Sequence, residues 1–251
     1  MNETKFNGMG SIYAKYRPPY PQEFINYLYS EVGIRKNSII ADIGSGTGIL
    51  TKLLLKKGNK VFSVEPNDDM RIIAESDLIG YDNFVSVNAT AESTTLDTHS
   101  IDFITVAQAF HWFDREKFKT ECRRVLKPSG KVILVWNSRV FEAESVKEGD
   151  SINRKFCPNF KGFSGGMRGA ESEDDFNDFF ADKCEKKVFQ NDQPCDLDGF
   201  IGRNLSASYA LKANDENYHS YIAEMTASFN KHAIDGKLIM PVVTKSYIGT
   251  V

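Results

Sequence analysis

The chain has 251 residues, of which 41% are hydrophobic and 12% aromatic, and these values predict a globular protein with a sizeable core. Its 31 Lys and Arg residues stand against 34 Asp and Glu residues, which gives a formal net charge of -3. Because binding to nucleic acid depends on clustered basic residues, this balance argues against a nucleic-acid partner and favours a small-molecule substrate.

Cysteine usage and hydropathy indicate the compartment. The four cysteines include no C-x-x-C pair, and no signal-like apolar run follows the polar residues 1–8. Reduced thiols and a cytoplasmic location are therefore expected. No window approaches the roughly 20 apolar residues of a membrane span, so no membrane association is expected. The four histidines have no metal-ligand spacing with acids or cysteines, and no metal site is expected.

The amino-terminal residues form an aromatic arm ahead of the first predicted helix. Tyr13, Tyr16 and Arg17 precede a proline-stiffened segment at residues 18–21, which leads into an apolar helical stripe at residues 24–29. Either the arm packs its aromatic side chains on a sheet, or it closes over a bound ligand. We assign residues 1–38 to this arm and the first helix.

Residues 39–140 have the pattern of an α/β core. Short apolar runs alternate with amphipathic stretches, which predicts a mostly parallel sheet with helices on both faces. The predicted strands are residues 39–43, 60–64, 84–87, 101–107 and 131–136. Gly58 can end the helix between the first two strands, and Asp114 can cap the helix before the fifth. Residues 128–130 are predicted to turn the chain into that fifth strand.

The carboxyl-terminal part differs in character. Residues 142–169 are polar and Gly-rich, and we predict that residues 141–183 form a lid or substrate-side insertion, with Ser172 as a helix cap. Residues 184–251 are predicted to complete the same domain. Within them, apolar residues at 218–229 have helical spacing, and a final strand at 238–248 is interrupted by Pro241.

The strongest chemical signal is the loop at residues 42–48, which reads DIGSGTG between an apolar strand and an amphipathic helix. Glycines are needed there because a Cβ would block a tight turn and keep the backbone away from a ligand. Glu65 follows the second strand, 23 residues after Asp42, where a carboxylate can accept hydrogen bonds from both ribose hydroxyls. Together these features predict an adenosine-containing ligand.

Other nucleotide motifs fit this loop less well. A dinucleotide fingerprint requires G-x-G-x-x-G, whereas the third glycine here, Gly48, comes one residue early and Ile49 occupies the late position. A nicotinamide-dependent oxidoreductase is therefore the weaker interpretation. A P-loop is disfavoured as well, because no Gly-Lys-Ser or Gly-Lys-Thr follows the loop.

These residues resemble the class I S-adenosylmethionine-dependent methyltransferases. The glycine loop and Glu65 match that family, residues 88–92 resemble its adenine-side loop, and residues 101–114 are similar to its fourth-strand motif. The sequence of residues 107–114 is similar to that of the trans-aconitate methyltransferase-like branch. The resemblance implies a Rossmann-like, seven-stranded, mostly parallel sheet that ends in an antiparallel hairpin, which residues 184–191 and 238–248 could supply.

The resemblance also implies a set of site residues. Expected contacts to S-adenosyl-L-methionine are Tyr13, Arg17, Asp42, Gly44, Ser45, Gly46, Glu65, Thr90, Ala91, Glu92, Ala107 and Gln108. His111 and Trp112 are expected to line the substrate pocket, and no catalytic residue is assigned. Thr90 stands where the wider family commonly has Asp, which puts a side-chain contact to adenine in doubt.

The implied activity is methyl transfer to a small molecule, with a carboxylate or another oxygen nucleophile favoured and nitrogen or carbon acceptors close behind. Such a displacement depends mainly on alignment and exclusion of water, and it needs a base only if the acceptor must lose a proton. A non-catalytic S-adenosylmethionine-binding module remains an alternative, and a nicotinamide-dependent oxidoreductase is a weaker one.

Overall fold

The computed structural model describes residues 14–163, 176, 178–182 and 184–251. The strands are β1 Ile39–Ile43, β2 Lys60–Val64, β3 Phe84–Val87, β4 Ile101–Ala107, β5 Leu126–Arg139, β6 Glu185–Gln190, β7 Gln193–Cys195, β8 Leu238–Met240 and β9 Val242–Gly249. The helices are α1 Gln22–Ser30, α2 Ile49–Lys56, α3 Asp68–Leu78, α4 Arg115–Val125, α5 Glu144–Phe156, α6 Leu197–Leu205 and α7 Tyr218–His232, with a short 3-10 helix at Phe110–Trp112.

The predicted fold class is confirmed by the main sheet. It has seven strands in the order β3-β2-β1-β4-β5-β9-β6, and β9 runs antiparallel to both of its neighbours. The first four strands have the predicted bounds. The order reverses beside β1, where parallel sheets commonly bind ligands in the crevice at the carboxyl ends of the strands.

The fifth strand is longer than predicted. β5 begins at Leu126. Its register with β4 shifts between Ile101 and Phe103, and this shift shows that residues 127–130 bulge out of the strand. The chain leaves the ladder at the position of the predicted turn. Gly130 lies at this bulge, where a Cβ would stand 2.8 Å from Leu126 Cδ2 and 3.1 Å from the Asp102 carbonyl oxygen. These close contacts favour glycine, which has no Cβ, at this position.

The chain divides at Pro241, as predicted. β8 pairs with β7 in a separate two-stranded sheet, whereas β9 joins the main sheet between β5 and β6. Proline has no N–H to donate to a strand neighbour, so a continuous ladder through this position is impossible. β6 and β9 supply the expected antiparallel end of the sheet.

Apolar side chains form one cluster on each face of the main sheet. Alternate residues of β1 separate between them: Ile43 belongs to the cluster with Phe110 and Trp136, and Ile40 to the cluster with Phe24. A third cluster lies apart from these two and joins α5, α6 and α7 through residues that include Phe156, Phe200, Tyr221, Met225 and Phe229. We call this third unit the cap.

The cap contains a helix that the sequence interpretation missed. α5 occupies part of the stretch predicted as a polar and Gly-rich lid, yet Val146, Ile152 and Phe156 are buried in the cap. Ser172 and most of the Gly-rich segment lie outside the described residues. In the part of the chain that the structure describes, no helix is long and apolar enough to span a membrane.

Candidate functional site

The glycine loop leaves β1 at the carboxyl edge of the sheet. Gly44 and Gly46 have φ values of +64° and +57°, which side chains with a Cβ rarely adopt. A Cβ on Gly44 would stand 2.6 Å from Ala109 Cβ, whereas a Cβ on Gly46 would have nothing within 4 Å. Gly44 is therefore required for packing against the end of β4, and Gly46 faces open space.

Asp42 supports the loop from below. Its carboxylate accepts hydrogen bonds from Thr51 Oγ1 at 2.6 Å and Thr105 Oγ1 at 2.7 Å, and the residue is fully buried. Burial raises the pKa of Asp42 to about 6, although the two hydroxyl donors lower it. Asp42 is not among the residues that line the cavities described below, so the structure does not bring it to the ligand side of the loop.

Glu65 binds the loop from the neighbouring strand. Its Oε2 accepts a hydrogen bond from the Gly46 amide at 2.8 Å, and its Oε1 accepts one from the Asn67 amide at 2.9 Å. Burial raises the pKa of Glu65, while the two amide donors act in the opposite direction. Each carboxylate oxygen can accept more than one hydrogen bond, so Glu65 can still accept from a ligand hydroxyl.

A cavity of about 410 Å³ lies between the glycine loop, Glu65 and the loop after β4. Its lining includes the predicted residues Gly44, Gly46, Glu65, Thr90, Ala91, Glu92, Ala107, Gln108 and Trp112. It also includes Pro66, Asn67, Met70, Ala109, Phe113, Asp114 and Lys117. Its volume falls in the range of roughly 300 to 1,000 Å³ that is typical of small-molecule sites.

The loop after β3 is held by a buried carboxylate. Glu121 accepts hydrogen bonds from the Thr94 amide at 2.7 Å and from Arg124 Nη2 at 2.7 Å. Burial acts to raise the pKa of Glu121, but the bonds from Arg124 and Thr94 outweigh burial and lower it to about 2. Nearby, Glu92 Oε1 accepts the Asp114 amide at 2.9 Å. These contacts fix the loop that carries Thr90 and Ala91.

Gln108 adopts a conformation that is uncommon for a residue with a side chain. Its φ is +61° at the end of β4, while its amide donates to the Val135 carbonyl oxygen at 3.0 Å. Such backbone strain often occurs at functional sites. Gln108 lines both the large cavity and a smaller one.

The smaller cavity, of about 60 Å³, continues from the large one past Gly44, Gly46, Ala107 and Gln108. It adds Ser45 and Arg17, both predicted, together with Asn137 and Arg203, which sequence reasoning missed. Asn137 lies on β5 and Arg203 on α6 of the cap, so these two residues approach the loop only through the tertiary fold.

The described part of the arm is docked on both the sheet and the cap. Arg17 Nη2 donates to the Ser206 carbonyl oxygen at 3.1 Å, and Tyr16 Oη donates to Asp198 Oδ2 at 2.9 Å. Asn137 Nδ2 donates to the Pro18 carbonyl oxygen at 3.3 Å. Tyr13, which was predicted to contact the cofactor, lies outside the described residues.

The two residues predicted for the substrate pocket differ in position. Trp112 lines the large cavity, whereas His111 is not among the residues that line it. The ring centroids of the two side chains are 4.5 Å apart. The sequence analysis did not name Asn67 as a cavity residue. Its side chain caps α3 by accepting a hydrogen bond from the Met70 amide at 3.0 Å, and Asn is a residue type that is common at helix N-caps, so its position at the start of a helix was recognisable from the sequence. No group of metal-ligating side chains occurs among the described residues.

Comparisons with known proteins match part of this chain to a known domain. Residues 41–134 match the family model described as a methyltransferase domain. An uncharacterized methyltransferase of Mycobacterium tuberculosis is 37% identical over 154 residues, which cover 61% of this chain and 60% of that protein. An uncharacterized methyltransferase-like protein of Schizosaccharomyces pombe is 33% identical and covers 59% of this chain and 58% of its own length. The chain thus matches about 60% of the length of such relatives.

Solved structures show the same fold at low identity. A protein from Anaeromyxobacter dehalogenans, described as a proposed type II methyltransferase, has a TM-score of 0.70 at 20% identity and covers 94% of this chain and 98% of its own. Precorrin 8w decarboxylase from Methanobacterium thermoautotrophicum has a TM-score of 0.52 at 14% identity, with 94% and 95% covered. Residues 41–134 thus resemble a methyltransferase domain, and the narrower trans-aconitate resemblance stays a prediction.

Proposed function

We propose that the protein transfers a methyl group from S-adenosyl-L-methionine to a small-molecule acceptor, with a carboxylate or another oxygen nucleophile favoured. One observation carries this proposal. The buried carboxylate of Glu65 lines a cavity of about 410 Å³ together with Gly46, whose missing side chain leaves open space. An acid beside a glycine loop at the carboxyl edge of parallel strands is suited to an adenosine ribose.

The residues present fit this cofactor. Glu65 is expected to accept hydrogen bonds from the ribose, while Thr90 and Ala91 border the adenine side. Arg17 lines the smaller cavity, where its fork of donors suits the carboxylate of the methionine part. When bound, the cofactor supplies an electrophilic methyl group on a sulfonium.

The remaining contribution of the chain is alignment and exclusion of water. Trp112 and Phe113 form an aromatic wall of the large cavity, and the docked arm covers the smaller one. Among the described residues, no histidine lines these two cavities. A carboxylate acceptor is favoured because it is already deprotonated near neutral pH and needs no general base.

The test combines binding and turnover. Calorimetry is expected to detect S-adenosylmethionine and its demethylated product, S-adenosylhomocysteine, but not NAD⁺. Incubation with isotope-labelled S-adenosylmethionine and a metabolite extract is then expected to label an acceptor. Binding without any labelled product would support the non-catalytic module instead. Binding of NAD⁺ with no response to S-adenosylmethionine would overturn the proposal.

A further inference from the structure

Arg203 lies in an unusual setting for a charged side chain. It is only 9% exposed, on α6 of the cap, and its Nη1 approaches Met240 Sδ at 3.7 Å. Neither Arg203 nor Arg139 pairs with a carboxylate in the part of the chain that the structure describes. Buried charges are normally paired, because their desolvation is costly.

Two further arginines increase the local positive charge. Burial, together with the charges of Arg139 and Arg17, lowers the pKa of Arg203 to about 9. Arg139 Nη2 donates to Asn204 Oδ1 at 3.3 Å, and its guanidinium lies 3.9 Å from the Phe163 ring centroid. Arg203 and Arg139 therefore place two positive charges close together on one side of the cap, with no carboxylate partner among the described residues.

Arg203 lies between the glycine loop and the outside of the protein. Arg203 lines the smaller cavity beside Gly46 and Gln108, and it also lines an outer groove of about 460 Å³. Lys15, Arg17 and Lys237 line the same groove together with Asp196, and Lys15 also pairs with Asp198 at 3.4 Å, so basic side chains outnumber acidic ones there. A groove lined by positive charge raises the local concentration of anions and directs them inwards.

We propose that Arg203 binds an anionic group of the methyl acceptor, such as a carboxylate or phosphate, while Arg139 adds positive charge from a neighbouring pocket of the cap. This inference rests on the proposed function, because it assigns the acceptor of that site. The cofactor contributes one carboxylate, for which Arg17 is the expected partner, and so the charge of Arg203 and Arg139 is left for the second substrate. A guanidinium binds carboxylate or phosphate through two parallel hydrogen bonds.

The experiment measures binding of simple anions to the full chain. Citrate, succinate and inorganic phosphate are titrated by calorimetry at constant ionic strength, with and without saturating S-adenosylhomocysteine. We expect at least one of them to bind the wild type, and its Kd to rise about tenfold or more in Arg203→Met and severalfold in Arg139→Gln. Arg123→Met is the matched control, since Arg123 is exposed on α4, and it is expected to bind as the wild type does.

Two further measurements distinguish binding of the acceptor by Arg203 from a structural role and from binding of the cofactor. Arg203→Met keeps most of the aliphatic stem and removes a desolvated charge, so the melting temperature of the empty variant is expected to stay level or rise. The affinity for S-adenosylhomocysteine is expected to change less than twofold. Weaker S-adenosylhomocysteine binding with unchanged binding of methylthioadenosine, which lacks the amino acid part, would assign Arg203 to the cofactor and overturn the inference.

The remaining outcomes are also decisive. If none of the anions binds the wild type, or if Arg203→Met binds them equally well, the inference is wrong. A failure of the proposed function is distinguishable, because it would appear as absent S-adenosylmethionine binding or turnover. The anion titrations without S-adenosylhomocysteine depend neither on cofactor binding nor on turnover.

Discussion

The carboxylate of Glu65 and the backbone amide of Gly46 are joined by a hydrogen bond of 2.8 Å. This bond connects the end of β2 to the glycine loop, so the expected ribose acceptor also holds the loop in its conformation. The Asn67 amide, 2.9 Å from the other carboxylate oxygen, fixes the side chain from the opposite end. Glu65 is therefore positioned in advance of any ligand, which reduces the ordering cost of binding.

Replacing Glu65 tests this dual role. Glu65→Gln keeps the shape of the side chain and one oxygen acceptor but removes the charge. We expect affinity for S-adenosylhomocysteine, measured by calorimetry, to fall by about 1 to 3 kcal/mol. Glu23→Gln, at an exposed position of α1, is the control and should have no effect. An unchanged Kd for Glu65→Gln would remove Glu65 from the site.

Gly46→Val tests whether the open space at the loop belongs to the cofactor. A Cβ at this position has nothing within 4 Å, so we expect a loss of S-adenosylhomocysteine binding to come from occupied ligand space or from strain at the φ of +57°. Gly236→Val is the matched control, because Gly236 has a φ of +72° and also has nothing within 4 Å of its Cβ position. We expect both variants to lose similar stability in urea unfolding, and only Gly46→Val to lose binding. Equal affinities would show that the loop does not hold the ligand.

Acid conditions are expected to weaken the protein through Glu121. Its pKa is lowered in the folded state from 4.5 to about 2, so the unfolded chain binds the proton more readily. The contribution of Glu121 to the free energy of unfolding is therefore complete above about pH 4.5 and is lost as the pH falls towards 2. Urea unfolding of the wild type and Glu121→Gln at several pH values measures this difference.

At pH 7, Glu121→Gln is expected to lower the free energy of unfolding by about 1 to 3 kcal/mol, because the donors Arg124 and Thr94 lose a charged acceptor. The gap between variant and wild type should shrink below pH 4.5. Glu116→Gln, exposed on the same helix, should show no such gap. A gap of the same size at pH 3 and pH 7 would contradict the assigned ionisation.

The contact between the arm and the cap can be tested at Gly202. A Cβ there would stand 2.5 Å from Tyr16 Cε2 and Cζ, so Gly202→Ala should displace the arm from α6. Since the arm carries Arg17, the affinity for S-adenosylhomocysteine is expected to fall severalfold. Gly149→Ala is the control: it lies in another cap helix, its Cβ position is 4.0 Å from Phe163 Cζ, and Ala is favoured over Gly there by about 1 kcal/mol.

Calorimetry and thermal unfolding distinguish the outcomes for these glycines. The contact is unimportant for the site if Gly202→Ala gains stability as Gly149→Ala does and binds the cofactor product normally. Reduced affinity with a nearly unchanged melting temperature supports an arm that forms part of the site.

Much of the core was determined locally by the sequence. The first four strands begin and end where short apolar runs predicted them, because a strand buried on both faces needs a continuous apolar run. The DIGSGTG loop and Glu65 were recognisable for a similar reason: a turn with positive φ requires glycine, and the acid follows the next strand directly. Pro241 divided the last strand as expected, since its missing N–H acts at its own position.

Only the tertiary structure decided which distant residues meet. Asp42 was expected at the ligand, but the hydroxyls of Thr51 and Thr105 hold it beneath the loop. Arg203 shows no motif of its own, and it reaches the glycine loop because the cap packs α6 beside the arm. Motifs report backbone requirements within a few residues, whereas the charge and lining of a cavity depend on long-range packing that no local pattern encodes.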